Sequence, residues 1–314
     1  MTTTSTISIG PPRRWAEYFG PAARVQLLIV AVLLAVVFQA TVTRYLVWTW
    51  RNDANWSHGW IIPLISLYFL GLRRDELFRA PVVPCWWGAA ALAAALAVFL
   101  ATFLFPLPYA RGVALVVSLG ALALLFGGWS VFRIVWFPIA YLLLAVPLPQ
   151  LLYVNVTFPL RQVASRMAGG ILDAVLPGVS IETQSVVIDF YNSHTGLYGH
   201  LNVAEACSGM RLIMAFVAIG LAVAYLMHGP KWQRLLVVLS CIPIAVICNM
   251  VRVVVTGVLH IYGHEEWARG APHQLLGIAM LPLALGLFSA VRWLLANLVI
   301  EEEAMEEGNQ GVRP

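Results

Sequence analysis

The chain has 314 residues, of which 61% are hydrophobic and only 11% charged, with a net charge of +4 and a mean hydropathy of +0.82. A soluble domain carries about 25% charged residues, so charges this sparse cannot coat a water-soluble surface of this size, and a bilayer must solvate much of the chain. The small, dispersed positive charge argues against a nucleic-acid face, which needs Lys and Arg clustered on one side.

Residues 1–24 read as a polar tail on the cytoplasmic side. It is rich in Thr and Ser, then runs Pro11-Pro12-Arg13-Arg14, and lacks the apolar core and small-residue cleavage site of a removed signal peptide. A span takes about 20 mainly apolar residues. The pattern predicts eight, at 25–43, 58–72, 86–105, 111–127, 131–148, 207–227, 235–256 and 273–297, within one membrane domain over 25–297. Separating the fourth from the fifth rests on Gly127-Gly128, and Pro147-Leu148-Pro149 ends the fifth. Trp48, Trp50, Trp56 and Trp60 read as an interfacial aromatic belt. The one long connection, 149–206, begins with apolar residues at helical spacing: Leu160, Val163, Ala164, Met167, Ala168, Ile171, Leu172 and Val175. This predicts an amphipathic helix on the outer leaflet. Val186-Val187-Ile188 and Leu201-Asn202-Val203 then read as two strands joined by a polar turn.

Lys and Arg divide eleven to eight in favour of the N-terminal side, which places both termini in the cytoplasm. The acidic tail, 298–314 with Glu301-Glu302-Glu303, reads as a solvated face. The expected fold is therefore an all-α polytopic membrane protein. It has about eight transmembrane helices, with an amphipathic helix and a short β-hairpin on the outer face.

Ionisable residues at a membrane's edge are costly, so each is a candidate site. Topology brings three to the outer level: Cys207 opening the sixth span, Arg252 about one turn before the end of the seventh, and His273 opening the eighth. A helix N-terminus and a nearby cation such as Arg211 lower a thiol's pKa. An imidazole activates the thiol and protonates a leaving amine, and a fixed guanidinium holds a developing oxyanion. Bland readings stand beside these. A lone Cys in a membrane helix is ordinarily packing, Arg252 reads equally as a snorkelling anchor, and His273 after Pro272 reads as a helix N-cap. Cys241 and Cys248, inside an apolar run, read as small buried hydrophobes. The four Cys show no zinc-like spacing. His260 and His264 at i, i+4, with His194 or His200, form a weak metal set without HExxH. No cofactor or metal is expected.

Ala206-Cys207-Ser208-Gly209-Met210-Arg211, after Val203-Ala204-Glu205, resembles the Cys motif of the exosortase/archaeosortase family. Asn249-Met250-Val251-Arg252-Val253 resembles its Arg motif, and Pro272-His273-Gln274-Leu275-Leu276-Gly277 its His motif. Asn55-Trp56-Ser57-His58-Gly59-Trp60, followed by Pro63, Leu67-Tyr68 and Arg73-Arg74, is similar to its N-terminal Ser-His-Gly segment. The resemblance runs from about residue 40 to 295. It implies a multi-spanning cysteine transpeptidase or protease of the bacterial cytoplasmic membrane, acting on its outer side. Its substrates would be exported proteins with a C-terminal signal: a short motif such as Pro-Glu-Pro, a transmembrane helix and a basic cluster. The catalytic roles fall on Cys207, Arg252 and His273, with Glu205, Ser208, Gly209, Arg211, Asn249 and His58 in support. His273, where archaeosortases often have Arg, points to the bacterial branch. Gln274 stands where many members have Asp, and the polar turn from Tyr191 to Gly199 is long for the family. No accessory domain is expected after the last span.

Rival readings are a transporter or lipid-linked sugar handler for exopolysaccharide export, a non-catalytic assembly factor, and an intramembrane metalloprotease. A transporter would need polar residues near the midplane, where Gln39 and Asn297 stand alone.

Overall fold

The computed structural model describes residues 20–203, 209–264 and 270–310. Among them, five helical stretches are long and apolar enough to cross a membrane: Arg24–Asn52, Trp87–Leu104, Pro108–Ala145, Lys231–Ile261 and Leu275–Asn297. The chain divides into two compact units, Met1–Leu148 and Pro149–Pro314, parted at the Pro147-Leu148-Pro149 break.

In the first unit, α1 (Pro21–Ala40) begins on Pro21, whose fixed φ suits the first helical turn. It continues through a π-helical stretch, Thr41–Val47, into α2 (Trp48–Asn52). The first span was predicted to end at 43, but the helix runs nine residues further to Asn52. The hydroxyls of Thr43 and Thr49 donate to the carbonyls of Gln39 and Tyr45, so these polar residues are satisfied inside the helix. Asp53 ends it, and its carboxylate accepts from the Asn55 amide to cap a 3₁₀ turn, Ala54–Trp60. The predicted second span is a helix of only 12 residues, α3 (Ile61–Leu72), followed by the short α4 (Arg74–Arg79). The belt of four Trp is corrected: Trp50 and Trp56 are buried, while Trp48 and Trp60 are exposed. Trp50 donates its Nε1–H to the Ala145 carbonyl, 2.8 Å away, and its ring leaves no room for a side chain at Gly59.

The apolar helix α5 (Trp87–Leu104) packs against α6 (Pro108–Tyr141), which a 3₁₀ turn, Leu142–Ala145, extends. Gly128 breaks α6 at φ +72°, ψ −170°, a region essentially reserved for Gly. Its two arms fold back on each other, bringing Gly112 against Val146 and Gly120 against Phe132 and Ile139. The division at Gly127-Gly128 is therefore a real turn. Gly128 also lies so close to the Val83 carbonyl that an added β-carbon would sit 1.9 Å from its oxygen. Gly128→Ala should cost at least about 1–3 kcal/mol from backbone strain alone, before the clash. Thermal unfolding in detergent checks this. Gly71→Ala, where nothing lies within 4 Å, serves as the control that should leave the midpoint nearly unchanged.

The second unit opens with α7 (Gln150–Val175), then a three-stranded antiparallel meander of β1 (Val179–Gln184), β2 (Val187–Asn192) and β3 (Leu197–Asn202). Helices α8 (Gly209–Leu226), α9 (Lys231–Leu239), α10 (Cys241–Ile261) and α11 (Gly270–Gln310) follow. Two strands were predicted, and the structure adds β1. The turn between β2 and β3 shrinks from the expected 191–199 to 193–196, because Tyr191-Asn192 and Leu197 to Gly199 are paired.

The apolar stripe of α7 divides. Ala164, Ala168 and Leu172 are buried, whereas Val163, Met167 and Val175 are exposed. Ala168 clusters with Val253, Ile188 and Leu201, and Leu172 with Ile261 and Phe190. The successive pairings advance together along both chains, so α7 runs parallel to α10, and the sheet packs over this pair. The predicted seventh span is bent at Ser240, between α9 and α10, and extends to Ile261. Packing of α8, α10 and α11 centres on Phe216, Ile244, Cys248, Met280, Ala284 and Phe288. Small residues allow close approach, as membrane helices require: the Cys241 thiol sits in the space left by Gly220.

Candidate functional site

Arg252 lies on α10, only 3% exposed. The helix continues nine residues beyond it, about 14 Å at 1.5 Å per residue. The expectation that it stands one turn from the helix end is therefore corrected: about two and a half turns follow it. Asn249, one turn earlier, and Thr256, one turn later, are also buried on the same helix. The Asn249 Oδ1 and the Thr256 Oγ1 have no hydrogen-bond partner among the described residues.

The guanidinium of Arg252 rests against α11. A β-carbon placed on Gly277 would lie 3.6 Å from each of its Cζ, Nη1 and Nη2 atoms. Equal distances to the three atoms mean that the flat group meets the bare glycine face-on. Position 273 is one helical turn before Gly277 on the same face. Helix α11 already includes residue 270, so His273 is inside the helix and is not its N-cap. Its side chain lies outside the described residues.

Cys207 also lies outside the described residues, with Glu205 and Ser208, but both its flanks are fixed. Val203 is fully buried, and its amide donates to the Val186 carbonyl at 2.8 Å. It belongs to the same packed cluster as Val253, the neighbour of Arg252. Gly209 is the first described residue of α8, which packs against both α10 and α11. At no more than about 3.6 Å per residue, Cys207 lies within about 14 Å of Val203 and about 7 Å of Gly209. The described backbone places the end of β3 against α10, and Arg252 on α10 against the early part of α11. Arg211 stands in the first turn of α8, its side chain outside the described residues.

His58 belongs to the first unit. It is buried in the 3₁₀ turn, with Nε2 3.3 Å from the Leu144 carbonyl and its ring 5.6 Å from that of Trp56. Burial pushes its pKa below the usual histidine range, against the smaller opposing pull of hydrogen bonds to the Leu144 and Asn55 backbones. The ring ties the 54–60 turn to 142–145. Cys241 and Cys248 are buried packing residues. Among the described residues, no group of three or more His, Cys, Asp or Glu could hold a metal ion. Sequence reasoning overlooked Gly277 as the seat of the guanidinium, and Thr256. The i, i+3, i+7 spacing of Asn249, Arg252 and Thr256, which puts all three on one helix face, was the available signal.

A family model described as transmembrane exosortase matches residues 50–290. No curated protein and no solved structure matches the chain.

Proposed function

The chain belongs to the transmembrane exosortase family, and from that membership we propose that it is a cysteine transpeptidase. It would cleave C-terminal sorting signals from exported proteins at the outer face of the bacterial cytoplasmic membrane, with both of its own termini inside. The observation that carries this reading is the buried Arg252, seated on Gly277 one turn from position 273, with its neighbour Val253 packed against the strand that leads to Cys207. A buried cation is expensive in a membrane and is read by default as functional.

The chemistry follows from the residue types. The Cys207 thiolate attacks the scissile carbonyl carbon, and Arg252 stabilises the resulting oxyanion. The carbon–nitrogen bond breaks as His273 protonates the leaving amine. The acyl group remains on sulfur as a thioester until an amine, a hydroxyl or water on the outer side takes it. Gln274 leaves the imidazole without the family's usual Asp beside it, so another group must orient the ring.

The test is co-expression with a reporter carrying a motif, a transmembrane helix and a basic cluster at its C-terminus. The host background is Cys85→Ala, because Cys85 is the half-exposed thiol and Cys241 and Cys248 are buried. We expect the tail to be removed and a thiol-alkylating reagent to stop its removal. Processing that survives alkylation would reject the thiol mechanism. If the tail is never removed while exopolysaccharide export depends on the protein, a transport or assembly role replaces the enzymatic one.

A further inference from the structure

The first unit contains an apolar cavity of about 310 Å³ that the proposed chemistry does not use. It lies between α1, α4 and the folded-back α6, lined by Leu27, Leu34, Phe78, Leu122, Phe126 and Val131 among others. Every lining side chain is apolar, so an occupant meets mostly hydrocarbon inside. A transmembrane helix is about 10 Å wide and does not enter a space of this size, whereas a single hydrocarbon chain does. Small-ligand pockets begin at about 300 Å³.

Arginines adjoin the wall in sequence, one of them in contact with it. The Arg74 guanidinium stacks over the Phe78 ring, 5.4 Å from its centroid, and Phe78 is itself part of the wall. Arg79 follows Phe78 directly, and Arg133 stands two residues after Val131. All three are exposed. The acidic residues nearby are Asp75 and Glu76, and Glu76 is paired with Arg73. Arg74, Arg79 and Arg133 have no ion-pair partner among the described residues.

We propose that this cavity is a binding site for an anionic phospholipid, with one acyl chain between α1 and α6 and the headgroup phosphate on Arg74, Arg79 and Arg133. Neither half of the site suffices. Hydrocarbon walls alone accept any lipid, and surface arginines alone attract any anion. Joined, they select a lipid that carries net negative charge. A substrate tail ending in a basic cluster is repelled by the same rim, which separates this site from the proposed catalytic one.

The full-length protein is purified in a neutral detergent and offered equal amounts of phosphatidylglycerol and phosphatidylcholine, and retained lipid is read by native mass spectrometry. Wild type is expected to retain phosphatidylglycerol in about tenfold excess, given the strength of Lys/Arg attraction to anionic lipid. The R74Q/R79Q/R133Q variant should bring the two lipids level, and R74K/R79K/R133K should keep the preference. A123F, which fills the cavity, should reduce retention of both. Equal retention by wild type overturns the proposal, as does an undiminished preference in the Gln variant. Thermal stabilisation by glycerophosphate equal to that by phosphatidylglycerol also overturns it, because the acyl chain would then contribute nothing. If the Gln variant does not fold, the wild-type ratio, the Lys variant and A123F still decide.

Discussion

Cys207→Ser should lower tail processing by about 10³-fold or more, the scale seen when a covalent nucleophile is removed, while the protein accumulates in the membrane as before. Ser keeps the shape of the side chain but has a far higher pKa than a thiol. Neither a helix N-terminus nor a nearby cation lowers a hydroxyl's pKa enough to make it a nucleophile at neutral pH. The flanks explain why abundance should hold. Val203 is locked into the cluster with Val253, and Gly209 opens a helix buried against two others, so the local fold does not depend on the side chain between them. Hydroxylamine should release the acyl group from wild type and nothing from the Ser variant. Equal processing by both proteins would return Cys207 to a packing role.

Arg252→Lys and Arg252→Met should each cost about 10²–10³-fold in processing, as loss of an oxyanion donor does. Lys is no rescue, because a point charge on a flexible stem does not reproduce a flat fork lying on glycine. The Met variant separates mechanism from architecture. Removing one member of a buried polar contact strands its partner, and Arg252 has such a contact, so the thermal midpoint should fall somewhat while processing per folded molecule falls far more. Gly277 supplies the second arm. Gly277→Ala places a methyl 3.6 Å from the guanidinium, an ordinary contact, and should retain most activity. Gly277→Leu displaces the guanidinium and should lose it. If Arg252→Met processes the reporter in proportion to its folded amount, Arg252 is structural and the mechanism fails.

Much of this was legible in sequence, for identifiable reasons. Hydropathy located the apolar helices because bilayer thickness fixes their length, and Gly127-Gly128 marked the turn because φ +72° needs glycine. The strand pair 187–192 and 197–202 showed through its β-branched residues and the Asn192-Ser193 turn. The misses share a cause: local pattern does not encode what an element packs on. The apolar spacing that marks helix α7 starts only at Leu160, yet the helix runs from Gln150 through Pro159. Strand β1 was hidden by its polar alternate residues, Ser180, Glu182 and Gln184. The aromatic belt divided because Trp50 found a carbonyl acceptor at Ala145, 95 residues away. Arg252 and His273 were legible as residues, but the glycine that seats the guanidinium became visible only once α10 and α11 were packed.

The meander also sets how the site can change over generations. Its 193–196 turn lies at the end of β3 opposite Val203, while Val203 itself is pinned to Val186 and to the cluster around Val253. Lengthening or recolouring that turn changes the far end of the meander without shifting Val203, which is anchored at the opposite end of β3. On the proposed mechanism, that leaves recognition free to drift while the chemistry stays in place.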